Sequence, residues 1–131
     1  STTFSVFDVI GIIIVLSAII LETLADEQLR NFNRTKQKNE LMTKGIWSVT
    51  RHPNYFGEVI FWWGLFFFAI TNAITNDLST LWVVVGPVGI TILFLIVSIP
   101  LMENRLLEKY PGYNDYKSRV SVFIPWFEKR N

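Results

Sequence analysis

The sequence predicts an all-α integral membrane fold, with about three transmembrane helices followed by an amphipathic C-terminal tail. Three observations predict it. Half of the 131 residues are hydrophobic and 15% are aromatic, with a mean hydropathy of +0.34, too apolar for an ordinary soluble domain of this length. Charged side chains leave three uninterrupted apolar stretches, Val9 to Leu21, Val59 to Asn76 and Leu78 to Met102, of 13, 18 and 25 residues. The twelve Lys and Arg fall in two groups of six, Arg30 to Arg51 and Arg105 to Arg130, with only Asp8 and Asp77 marking the opposite face.

The first stretch reaches spanning length only if it extends back to about Phe4, which gives about 27 Å at about 1.5 Å per residue. The second and third are long enough as they stand. The positive-inside tendency then places the 25–55 loop and the 103–131 tail in the cytoplasm, so the first helix descends, the second returns and the third descends again. Thr71 to Asp77 reads as a short outer turn, and Pro111-Gly112 as a turn ending a short helix over Glu103 to Tyr110. Gly86-Pro87, Gly89 and Pro100 predict a kink or break in the third helix, because proline removes a backbone donor. Neighbouring helices satisfy the freed groups in membranes, so the bend reads either as a cavity wall or as packing around small residues.

Composition excludes several functions. A net charge of +1 gives nucleic-acid binding no global electrostatic support. With no cysteine, there is no disulfide framework or thiolate nucleophile, and the single histidine argues against a His-rich metal cluster. Ser1-Thr2-Thr3-Phe4 has no basic n-region, so no secretory signal is expected. GxGxxG, P-loop, HExxH and GxSxG motifs are missing, which sets aside a soluble-type Rossmann site and the common hydrolase centres.

The most informative segment is Arg51-His52-Pro53-Asn54-Tyr55-Phe56-Gly57-Glu58, set directly against Val59-Ile60-Phe61-Trp62-Trp63. Polar groups at the mouth of a membrane helix lose hydration and persist where they pair or meet a ligand. Pro53 suits the first turn of a helix, with His52 near its cap and Asn54 and Glu58 one turn apart on one face. Glu58 reads either as a ligand contact or as a structural ion pair with Arg51 or Arg105. Upstream, Glu22, Asp26 and Arg30 share a face of the extended first helix, with Asn33 and Arg34 near the same stripe. That face reads as a solvated Asp26–Arg30 pair or as a polar ladder toward the box. Downstream, Glu103 and Arg105 precede Tyr110, Tyr113 and Tyr116, spaced by three and followed by Lys117 and Arg119. Rings beside cations suit an adenine and its phosphates, and they suit a membrane interface equally well. Trp126 and Phe127 read as anchors.

RHPNYFGE, Trp62-Trp63-Gly64 and the tail PLMENRLLEKYPGYNDYKSRVSVFIPWF together resemble the C-terminal half of the steroid 5-alpha-reductase-like family of membrane enzymes. More distantly they resemble the isoprenylcysteine carboxyl methyltransferases, which share the RHPxYxG core. The likeness runs from about Glu22 to Phe127. It implies a single membrane domain over residues 1–131 that corresponds to the cofactor-binding half, with no counterpart of the family's N-terminal half, which supplies the grip on the substrate carbonyl. It further implies NADPH-dependent reduction of a conjugated carbon–carbon double bond in a hydrophobic, lipid-like substrate. The cofactor contacts implied are Asp26, Arg30, Arg34, Arg51, His52, Asn54, Tyr55, Glu58, Glu103, Arg105, Tyr113 and Tyr116, with Lys36 and Lys38 as further phosphate partners. Glu103 stands where the animal steroid reductases carry a histidine-rich stretch. Two alternatives remain open: an S-adenosylmethionine-dependent membrane methyltransferase, and a shortened, non-catalytic subunit associated with other membrane subunits.

Overall fold

Helices organise every layer of the computed structural model, which describes residues 4–38 and 40–129. Arg130, counted above among the tail's cations, lies outside the described residues. Helix α1 (Val6–Thr35) starts at a capping box: the Ser5 hydroxyl accepts from the Phe7 amide, while the Ser5 amide donates to Asp8 at 3.1 Å. Helix α2 (Pro53–Thr75) follows with His52 as its N-cap and Pro53 in the first turn, where a missing N–H costs nothing.

These two helices pack antiparallel, and small residues set their distance. A Cβ on Gly11 would lie 2.9 Å from the Gly64 carbonyl oxygen, and one on Gly64 would lie 2.8 Å from a Val15 methyl. Ala18 and Ala25 are fully buried along the same seam. Close backbone approach replaces the hydrophobic driving force that lipid cannot supply. Each end of the pair is latched by a hydrogen bond: the Ser5 and Thr71 hydroxyls share one at 2.5 Å, and Asn54 donates to Asp26 Oδ1 at 2.7 Å.

The third span runs from Leu78 to Lys109 and is not one regular helix. A 3-10 segment (Leu78–Val84) leads into α3 (Val85–Leu93), a π turn covers Phe94–Ser98, and α4 (Ile99–Lys109) completes it. The irregularity expected near Pro100 takes the form of a π turn, while the span stays helical throughout and α3 runs through Gly86-Pro87 and Gly89 without interruption. Pro100 has no amide to donate, and the Ile99 amide reaches back five residues to Phe94. Val59, Phe94, Ile99 and Phe123 form a core beside this turn. The rest of each span exposes apolar side chains, such as Ile13, Leu16, Trp82 and Ile96, as a lipid-facing surface does.

One boundary is corrected. The outer turn expected over Thr71 to Asp77 is confined to Asn76 and Asp77, because α2 continues through Thr75. Thr71 and Thr75 are absorbed into the helix, with the Thr75 hydroxyl bonding back to the Thr71 carbonyl. At the opposite, charged end, Pro111-Gly112 turns the chain into α5 (Tyr113–Arg119), and residues 120–129 return across the mouth of α2.

Candidate functional site at the charged end of the bundle

Four segments converge at the charged end. The 3-10 turn Gly45–Ser48 enters through Gly45, whose φ of 63° falls in the left-handed region that glycine tolerates; a Cβ there would also collide with Gln28. The turn is tied to α1 by Ile46 N–H donating to Gln28 Oε1 and by Trp47 Nε1–H donating to the Ala25 carbonyl. It is tied to α5 by the Tyr116 hydroxyl, which donates to the Trp47 carbonyl. The tail is stitched to the box by Arg51 N–H on the Ser121 carbonyl and by the Thr50 hydroxyl on the Phe123 carbonyl.

Behind these elements lies a buried polar centre. The Tyr113 hydroxyl donates to Glu103 Oε2 at 2.7 Å. Arg51 Nε and His52 Nε2 each stand 3.1 Å from that same oxygen, at ion-pair distance but without the alignment of a hydrogen bond. All four residues are at least nine-tenths buried. A second Arg51 nitrogen donates to the Lys117 carbonyl at 2.7 Å, so the guanidinium is held from two sides. Burial, then the hydrogen bond to Glu103, pushes the Tyr113 phenol up, and burial does the same to Tyr116.

In front of this centre opens a cavity of about 370 Å³. Its α1 wall is Leu29, Phe32 and Asn33, with Lys36 at the helix's C-cap; its α4 wall is Met102, Leu106 and Lys109; the box contributes Arg51, His52, Asn54 and Tyr55. Trp47, Tyr110, Tyr113 and Tyr116 supply aromatic faces, and Glu40, Leu41 and Met42 close the loop side. Lys36 Nζ donates to the Tyr110 hydroxyl at 3.0 Å, and the Lys36 and Lys109 ammonium groups each lie 5.3 Å from the centroid of that ring. The hydrogen bond from Lys36 holds the Tyr110 phenol below its usual value despite partial burial. Asn54, whose amide nitrogen donates to Asp26, leaves its Oδ1 buried and without a partner among the described residues.

The structure divides the expected residues. Arg51, His52, Asn54, Tyr55, Tyr113 and Tyr116 line the cavity; Asp26 anchors Asn54; Glu103 sits behind the wall. Arg30, Arg34, Lys38, Glu58 and Arg105 are exposed and do not line it. The Glu58–Arg51 ion pair considered from the sequence does not form, because Glu103 takes the guanidinium, and Glu58 faces outward on α2. Sequence reasoning passed over Leu29, Phe32, Trp47, Met102, Leu106 and Lys109. A signal for the α1 residues was present: Leu29, Phe32, Asn33 and Lys36 recur at helical spacing on one face, and Arg30 is rotated about 100° from Leu29.

A family model described as "Protein of unknown function (DUF1295)" matches residues 1–120, and the chain belongs to that family. A Schizosaccharomyces pombe relative, the uncharacterized protein C594.04c, is 26% identical over 141 aligned positions, which cover 93% of this chain and 40% of the relative. The chain therefore spans two fifths of the length of this curated relative. No solved structure matches it.

Proposed function

We propose that this member of the DUF1295 family forms the cofactor-binding half of a membrane reductase of the steroid 5-alpha-reductase type, using NADPH to reduce a conjugated carbon–carbon double bond in a lipid-like substrate. The observation that carries the reading is the cavity at the charged end of the spans, where the RHPNYFGE box, α1 and the tyrosine-bearing tail meet. The family match, of the steroid 5-alpha-reductase-like type, supports the same direction.

The residues present fit such a cofactor. Asn54 Oδ1 is a buried acceptor with no partner among the described residues, suited to an N–H donor of a bound group. Lys36 and Lys109 bring positive charge to one rim and suit phosphate, while Trp47, Tyr55 and Tyr110 offer planar faces for a base. When bound, NADPH supplies a hydride. Arg51 and His52 form a fixed wall, because Glu103 and Tyr113 hold them from behind. The charged end faces the cytoplasm in this reading, which gives the cofactor access from water, while the substrate arrives from the bilayer.

Size favours S-adenosylmethionine as the second reading. About 370 Å³ lies near the lower end of the range of about 300–1,000 Å³ for ligand sites, and aromatic faces with Glu40 suit a sulfonium cation. Native mass spectrometry of the detergent-solubilised protein with each compound added separates the two. A mass shift with NADPH alone supports reduction, and a shift with S-adenosylmethionine alone supports methyl transfer. Retention of neither, together with co-purified membrane subunits, assigns the chain a structural role.

A further inference from the structure

A second cavity, also about 370 Å³, lies on the other side of Arg51, between α5 and the C-terminal segment. Backbone ties fix its position beside the start of α2: Arg51 N–H donates to the Ser121 carbonyl at 2.8 Å, and Trp126 N–H donates to the Val49 carbonyl at 3.0 Å. Residues 121–126 thus run antiparallel beside 49–51, two residues before α2 enters its span at Pro53. Phe123 turns inward against Phe56, at 5.3 Å between ring centroids, and is buried. Its neighbours turn outward: Ile124 is 64% exposed, Trp126 68% and Phe127 83%. An exposed aromatic and aliphatic strip at that level belongs in the headgroup region, where amphipathic rings partition.

The groove beside this strip is cationic. Lys117, Arg119 and Lys129 line it with Ser118 and Ser121. Arg119 is committed to Asp115 and Glu128, whereas Lys117 and Lys129 take part in none of the ion pairs among the described residues. Both lysines are exposed. The Ser118 and Ser121 hydroxyls donate to the Asp115 and Ile124 carbonyls, so the lysines carry the match: ammonium groups at headgroup depth suit a phosphate, and the apolar strip next to them matches the start of acyl chains.

We propose that this groove binds the headgroup of an anionic glycerophospholipid, with Lys117 and Lys129 meeting its charge and Trp126 and Phe127 lying against its glycerol and upper acyl region. The site is separate from the cavity assigned to the cofactor, and it stands whether or not that assignment holds.

The test compares retention of phosphatidylglycerol and phosphatidylcholine by the purified chain in native mass spectrometry, after reconstitution in nanodiscs containing both. Wild type is expected to retain the anionic lipid preferentially. K117Q/K129Q should weaken that retention by on the order of tenfold, with unchanged thermal unfolding, and K117R/K129R should keep it. Equal retention of the two lipids by wild type overturns the proposal, as does an undiminished preference in K117Q/K129Q. Displacement of the lipid by millimolar inorganic phosphate would assign the groove to a soluble anion and overturn it as well.

Discussion

Tyr113 donates its hydroxyl to Glu103 at 2.7 Å, and through that bond the tail closes on the third span. The same carboxylate oxygen faces Arg51 and His52, so one acidic group joins α4, α5 and the entrance of α2. Replacing Glu103 by Ala leaves a buried guanidinium without its counter-charge, which costs about 3–5 kcal/mol. E103Q, which keeps the shape and one acceptor, should lose less. Unfolding in detergent followed by near-UV circular dichroism measures both, and equal stability of E103A and wild type would show that the centre is not structural.

Packing of α1 on α2 gives a second expectation. In G11A the new methyl meets the Gly64 carbonyl at 2.9 Å, backbone that cannot rotate away, so destabilisation of about 1–3 kcal/mol is expected. In G89A the methyl meets nothing within 4 Å, and alanine improves helix propensity, so the effect should be neutral or stabilising. Thermal unfolding of the two variants side by side tests the seam.

The tyrosines should ionise in a set order. Tyr110 loses its proton below the usual phenol range because Lys36 bonds its oxygen, and K36M should return it upward. Absorbance of tyrosinate during an alkaline titration follows this directly.

Tyr113 and Tyr116 behave oppositely, since burial raises both in the folded state. Above the ordinary value of about 10, the unfolded chain binds fewer protons than the folded one, so stability falls as pH rises. Below that value the pair adds no pH dependence. The slope of melting temperature against pH should flatten in Y113F, and a slope identical to wild type would contradict the assignment.

Ligand binding should follow the wall of the cavity rather than the charge count of the sequence. N54A and K109A are expected to weaken the bound cofactor by on the order of tenfold, consistent with loss of a buried hydrogen bond or a charge. E58A, R30A and W126A should leave it unchanged. Titration calorimetry with NADPH and S-adenosylmethionine distinguishes these groups, and equal losses in E58A and N54A would move the site off the cavity.

Much was legible in the chain itself. Three spans, the irregularity near Pro100, the cap at His52 and the turn at Pro111-Gly112 follow from apolar length, missing amides and turn residues, all of which act within a few positions along the sequence. What the sequence left open was rotation and pairing. Whether Arg30 or Leu29 faces the cavity depends on how α1 is turned against α2, and that rotation is decided by the contacts of Gly11, Ala18 and Gly64 across the seam. Whether Arg51 pairs with Glu58 or Glu103 depends on α4, distant in sequence, ending beside the box, with the tail folded back against both. Local chemistry determined which segments cross the membrane; only tertiary structure decided which charges meet, because a buried ion pair is selected by distances that no neighbouring residue along the chain controls.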